Sequence, residues 1–362
     1  SPSAMNFTAG TVNYSITGSY GITGATGITL SGTAMVTIAT ANTFSGVVNM
    51  NAGTLTVGSS TALGNTSGNT IVASGASLLL DGTASAGALS IAEPLQLSGT
   101  GSSGQTGALV NLAGNNTLSG TITLSGTSTL ATNAGTLSIS GPMVGSAGFT
   151  KAGSLGTLIL SGTNTYSGAT VVSAGVLNLQ NAQGLGGTLS SAGSVTVSSG
   201  AALELQSGFN LGAKPFVLSG TGVSASYGAL RSISGTSTLG GSLWLGADTT
   251  LGVDSGLLTL SGTLVGGNSG LTKVGAGQLT LSGTYNYSGL TTLSAGSLVL
   301  SKPNTASTLG TLSMGSNTSL YLNYGGFLEF TDAKLSQLIG YSTLSGSLLT
   351  IDMSNYSGSG TL

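Results

Sequence analysis

The chain contains no cysteine and no histidine, only 5 prolines in 362 residues, and few charges: 6 Lys and Arg against 8 Asp and Glu. Each absence closes a class of function. Without cysteine there is no disulfide framework and no thiolate metal site. Without histidine there is no Ser-His-Asp or Cys-His nucleophile system and no imidazole ligand. No basic patch is present, which argues against nucleic acid as a partner. No apolar run approaches the ~18 residues of a membrane-spanning helix. Neither a basic amphipathic helix nor a lipidation motif points to membrane insertion. No cofactor and no metal is expected.

Charged residues make up 4% of the chain, where about 25% is usual. Low charge with 63 glycines could describe a disordered chain, but disorder needs low hydrophobicity or high net charge. Here the hydrophobic fraction is 39% and the net charge −2, so the chain can bury a large core. The start at Ser1 is read as a processed one, with any export signal already removed.

Repetition dominates what is present. Leu-Ser-Gly-Thr or its Ile variant recurs at Leu30, Leu97, Leu124, Leu160, Leu218, Ile233, Leu260 and Leu281. A second pattern, Gly-x-Leu-x-(Leu/Ile/Val/Met), includes Gly175-Val176-Leu177-Asn178-Leu179. Its apolar residues alternate, which is the signature of a short strand. The flanking Gly and Ser-Gly pairs mark corners. Strands this short cannot close a core singly, but stacked in parallel they bury a continuous one. The fold class expected is all-β, a parallel β-solenoid forming one elongated rod.

Two longer copies are clear, 149–179 and 271–300, and Asn42–Gly46 and Asn116–Gly120 carry weaker ones. The shared string runs Lys-x-Gly-x-Gly-x-Leu-x-Leu-Ser-Gly-x-Asn-x-Tyr-Ser-Gly-x-Thr, followed by Gly-x-Leu-x-Leu. It resembles the passenger-associated strand repeat of bacterial autotransporters. The copy at 149–179 has one extra residue between Lys151 and Leu158, and Tyr285-Asn286-Tyr287 replaces Asn-x-Tyr in the other. The resemblance implies a right-handed parallel β-helix, exported or held at the bacterial surface. That family carries a membrane β-barrel after the passenger. No such pattern follows residue 320, so the barrel is expected to be cleaved, omitted or absent. At roughly 20–24 residues per coil the chain would make about 15–18 coils, a rod of roughly 70–85 Å.

The ends read differently from the middle: 1–24 as an N-terminal cap or assembly segment, 25–320 as the repeats, 321–362 as a C-terminal cap or assembly segment. Half of the aromatic side chains lie there: Phe7, Tyr14, Tyr20, Tyr321, Tyr324, Phe327, Phe330, Tyr341 and Tyr356. Thr331–Gly340 is the best helix candidate, with Thr331 or Asp332 as N-cap and Leu335, Leu338 and Ile339 on one face. Aromatics favour interface cores and near-zero charge promotes association. Subunits stacked end to end into a fibre are therefore expected, with these aromatics at the joint.

Only carboxylates remain for chemistry. A glycosidase needs two facing one bond, and the sequence offers Asp248 with Asp254 and Glu329 with Asp332. Structural roles are expected for both pairs. The spacing around Gly240, Gly241, Gly246 and Asp248 does not fit the calcium-binding nonapeptide, and no glycine doublet begins a phosphate loop. Asn42, Asn116 and Asn164 share one repeat position and are expected to form a buried structural ladder. Alternation puts Leu243 and Leu245 inside and Trp244 outside. Four functions compete. A structural surface element leads. An adhesin that binds a glycan or host surface is the alternative. A polysaccharide-acting enzyme is disfavoured by the missing histidine, and ice binding by the paucity of regular Thr rows.

Overall fold

The computed structural model describes residues 2–8, 10, 12–85, 87–187, 193–224, 227–301, 310–323 and 347–352. Among them the protein is a parallel β-solenoid of about 14 turns with no α-helix. The chain divides into two compact units, Ser1–Gly187 and Thr188–Leu362.

Alternation builds each strand. In Thr157–Leu160 the even positions, Leu158 and Leu160, are buried, and Thr157 and Ile159 face outward. Parallel register then places like on like: Leu137 pairs with Leu158 and Leu158 with Leu177, while Ile139, Leu160 and Leu179 form the next row. Each buried Leu or Ile contributes about 1.5–3 kcal/mol, and the strand ladder satisfies the backbone around it.

In the first unit the strands fall into three stacks. The first runs through Ala4–Phe7, Gly27–Leu30, Val48–Met50, Thr70–Val72, Leu95–Gly99, the start of Ile122–Thr132 and Met143–Val144. The second runs through Tyr14–Ile16, Met35–Ile38, Gly53–Val57, Ala76–Asp81, Leu109–Ala113, the end of Ile122–Thr132, Phe149–Ala152 and Thr170–Val172. The third holds Ser90–Ile91, Asn115–Leu118, Thr136–Ile139, Thr157–Leu160 and Gly175–Leu179. In the second unit, one six-stranded stack keeps a Leu row through Leu239, Leu260, Leu281, Leu300 and Leu322.

The coils differ in length. Met143 and Asn164 lie one coil apart at a separation of 21 residues, but Ser77 reaches Gly107 across 30 and Glu204 reaches Arg231 across 27. The extra residues are two matching insertions, Leu97–Leu109 and Leu218–Leu230, which both read Leu-Ser-Gly-Thr-Gly and end Gly-Ala-Leu. The first folds back onto the sheet. The backbone N–H of Ser102 donates to Ser77 Oγ at 2.8 Å, and Ser102 Oγ lies 2.9 Å from Thr54 Oγ1. The strand Ala76–Asp81 is consequently buried on both sides, and Leu79, Val110 and Ala131 form a second apolar cluster, with Ala152 packed against it.

Coil corners are set by backbone contact. A Cβ added to Gly162 would run into the carbonyl oxygen of Gly141, and one added to Gly141 into that of Gly120. Gly162→Ala should therefore destabilise the first unit by roughly 1–3 kcal/mol in guanidinium unfolding. Gly187→Ala, where a Cβ meets nothing within 4 Å, should stay within about 0.5 kcal/mol of the parent.

Candidate functional site

Among the described residues, the polar side chains buried in the repeats form the most organised chemistry. Asn164 is 1% exposed and sits where its coil has no regular strand. Its Oδ1 accepts from the backbone N–H of Met143 at 2.8 Å, and its Nδ2 donates to the carbonyl of Gly184 at 2.7 Å. Asn42 acts alike, accepting from the N–H of Ile22 and donating to the carbonyl of Ala62, both at 2.8 Å. Asn116 accepts from the N–H of Leu89 and donates to Ala113 O and Asn111 Oδ1. Asn111 in turn donates to Ala134 O. Asn42 and Asn164 bond main-chain groups of adjacent coils and stand in for the strand ladder where it is interrupted, whereas Asn116, inside the strand Asn115–Leu118, reaches an adjacent coil only at Leu89. Among the three, none bonds another.

Two lysines point inward. Lys151 and Lys273, the lysines of the two clear repeats, are 0% and 1% exposed. Lys151 Nζ donates to the carbonyls of Gly153 at 2.6 Å and Gly156 at 3.0 Å. Lys273 Nζ donates to Val274, Gly275 and Ala295 at 3.1, 2.7 and 3.0 Å. The corner turns these carbonyls toward the interior, and the ammonium supplies the donors they lack. A Cβ at Gly175 would crowd Lys151 Nζ, which ties that glycine to the lysine three strands earlier. Burial lowers both amines from 10.5 to about 8. Sequence reading placed these lysines in the motif and gave them no role.

A buried hydroxyl pair recurs beside them. The hydroxyl of Tyr166 lies 2.7 Å from Thr170 Oγ1, and that of Tyr287 lies 2.8 Å from Thr291 Oγ1. The same two positions in the copy around Asn42 are Phe44 and Val48, both fully buried. A ring hydroxyl is present where its partner carries one, and both are absent together.

Of the two carboxylate pairs that the sequence offers, Asp248 with Asp254 lies within the described residues, and both side chains are engaged. Asp248 Oδ1 accepts from the N–H of Gly270 at 2.7 Å. Asp254 pairs with Arg231 Nη2 at 2.6 Å. Arg231 also holds Glu204 at 3.0 Å and stacks 4.0 Å over the Tyr227 ring, while the Tyr227 hydroxyl donates to Glu204. These groups clamp successive coils. Glu329, Asp332 and the helix expected over 331–340 lie outside the described residues, as do Tyr324, Phe327, Phe330, Tyr341 and Tyr356. Register levels Phe7 with Leu30 and Tyr14 with Val36, both core residues, and the two rings meet edge to face at 5.1 Å. Tyr20 is 91% exposed. Tyr321 lies in an outward row between Val299 and Thr350. Trp244 is 41% exposed, in register with Val217 and Val265.

Fold and interior together define a repeat-built solenoid whose polar groups are spent on joining coils. The repeats themselves are known: the passenger-associated-transport-repeat family model matches residues 28–57, 149–179 and 271–300. The chain is thus a β-solenoid carrying repeats of the autotransporter passenger type. The match at 28–57 contains the weaker copy around Asn42. No curated protein and no solved structure matches the chain.

Two outcomes test this interior. Thr170→Val and Tyr166→Phe should each cost about 1 kcal/mol. The double variant, which reproduces Phe44 with Val48, should cost less than their sum in a double-mutant cycle. Second, Lys151 and Lys273 have folded values near 8, below the unfolded 10.5. From about pH 8 upward the unfolded chain holds protons that the folded chain has released, so stability rises with pH. Tm should increase between about pH 8 and 9.5, short of the ionisation of unfolded tyrosines near 10. The increase should shrink in the Lys151→Met, Lys273→Met double variant, with Lys214, also lowered by burial, left to contribute.

Proposed function

We propose that the chain is a structural passenger module, secreted or displayed at the bacterial surface, and that it works as a scaffold without turning over a substrate. One observation carries this reading: the two repeat lysines are turned inward, and the carboxylates Glu204, Asp248 and Asp254 are bound to groups of the protein itself. Lys151 and Lys273 serve corner carbonyls, Glu204 and Asp254 are bound to Arg231, and Asp248 holds a backbone N–H. What faces outward is largely hydroxyl and small, as in the aligned Thr238, Thr259 and Thr280, with a net charge of only −2. Such a surface carries little self-repulsion, which favours end-to-end association of subunits into a fibre or matrix.

A second reading, a glycan-binding passenger, draws on Trp244, exposed in a row with Val217 and Val265. An indole face between apolar neighbours suits a neutral sugar ring.

Negative-stain electron microscopy across a dilution series, run beside a glycan array and a polysaccharide-turnover assay, separates these. The structural reading expects fibres that lengthen with concentration, no turnover and no saturable sugar binding. Discrete particles at every concentration would remove end-to-end assembly. Saturable binding that is lost in Trp244→Ala would establish the second reading in its place.

A further inference from the structure

Two charged side chains occupy a corner that other coils fill with glycine. Leu95 pairs with Thr70 and Ile122, so Glu93, two residues earlier, is level with Gly68 and Gly120. Phe216 pairs with Val195 and Leu243, so Lys214 is level with Gly193 and Gly241. Both charged residues precede a proline, Pro94 and Pro215. Both are buried, at 4% and 5% exposure. Their surroundings differ in one respect. Lys214 Nζ donates to the carbonyl of Gly193 at 3.2 Å, in the coil before it. Neither carboxyl oxygen of Glu93 has a hydrogen-bond partner among the described residues.

No cation is at hand to meet that carboxyl. The only titratable side chains in residues 1–150 are Tyr14, Tyr20, Asp81 and Glu93, and the coils packed before and after Glu93 lie within that span. Asp81 accepts from the N–H and the hydroxyl of Thr83 and could only repel a carboxylate. The first unit has one basic side chain, Lys151, and its ammonium serves Gly153 and Gly156. A calcium ion takes 6–8 oxygens, and no group of three metal-ligating side chains occurs among the described residues.

We propose that the Glu93 corner is a pH-sensitive latch: the protein folds with Glu93 as the neutral acid, and ionisation of that carboxyl loosens the corner and the strands on either side. A buried carboxylate with neither donor nor counter-charge is the costly state. The neutral acid has no such penalty and brings a donor of its own to a corner that, at Lys214, presents a carbonyl. Burial pushes Glu93 up to about 7 from the usual 4.5. The folded value lies above the unfolded one, so this contribution to stability is complete below about 4.5 and is lost as pH rises through 7.

Hydrogen exchange by mass spectrometry on the full chain, at about pH 5.5 and about pH 8 and corrected for intrinsic rates, tests the latch. Protection in Leu95–Gly99 and at the start of Ile122–Thr132 should fall about tenfold or more at the higher pH, and that of Thr157–Leu160 should hold. In Glu93→Gln, protection of the first two segments should be equal at both values. If that variant does not fold, titration of the wild-type protection alone should show a midpoint near 7. Three results would overturn the proposal: no change with pH in the wild type, the same change in Glu93→Gln, or full recovery of protection at pH 8 on adding calcium or potassium chloride. The last would make the corner a cation site.

Discussion

Parallel coils repeat at ~4.8 Å, and at the corners this spacing brings backbone against backbone. On the flat faces side chains separate the chain from solvent and core, and the ladder satisfies every amide. At a corner the chain turns, the ladder breaks, and the carbonyl of one coil occupies the space a Cβ of the next would need. Gly120, Gly141 and Gly162 stand in one such column. The Ser-Gly pairs that punctuate the sequence follow from this contact, and so does the short strand length, since every strand must end where a corner glycine can be placed.

The same geometry explains the buried polar groups. Corners turn carbonyls inward and leave amides unpaired, and an unpaired buried backbone group costs as much as a lost hydrogen bond. Asn42 and Asn164 present an acceptor to one coil and a donor to the next. Lysine offers three donors from one atom, which suits the inward carbonyls of Val274, Gly275 and Ala295. The desolvation that lowers its basicity is the cost of that arrangement. In the usual reading of a repeat motif a conserved-looking lysine marks a surface; here it belongs to the interior because the corner, and not a ligand, needs it.

The alternation of Gly175–Leu179, the corner glycines, the outward Trp244 and the repeat family were all legible in the sequence, since each is a local pattern with a single physical meaning. Coil length was not, because it depends on where insertions fall: Leu97–Leu109 looks like another Leu-Ser-Gly-Thr corner until Ser102 is seen bonded to Ser77. The outward apolar row of Leu79, Val110 and Ala131 was hidden for a similar reason. An apolar residue at an outward position reads as surface unless one knows which loop covers it. Lysine chemistry was invisible because its partners are main-chain carbonyls, which every residue has. Pairing of Tyr166 with Thr170 could have been found by aligning the copies, where Phe44 and Val48 lose both hydroxyls together.

Repeat and coil are also not the same unit. The match at 28–57 begins on Gly27–Leu30 in the first stack, whereas that at 149–179 begins on Phe149–Ala152 in the second. Each subsequent strand of the second copy is likewise one stack further on: Gly53–Val57 ends its copy in the second stack and Gly175–Leu179 ends its copy in the third. One motif can start on different faces only if those faces impose the same demands of spacing, corner and alternation. The sequence pattern therefore encodes a strand-corner-strand step rather than an address on the solenoid, and outward side chains are free to differ wherever a step lands. The matching insertions show that freedom. Beneath the first lie Leu79, Val110 and Ala131, while the equivalent row beneath the second is Glu204, Arg231 and Gly252, with Arg231 clamping Glu204. An apolar cluster and an ion-pair clamp serve the same register because the backbone contact at the corners, and not the outer row, holds the coils in place.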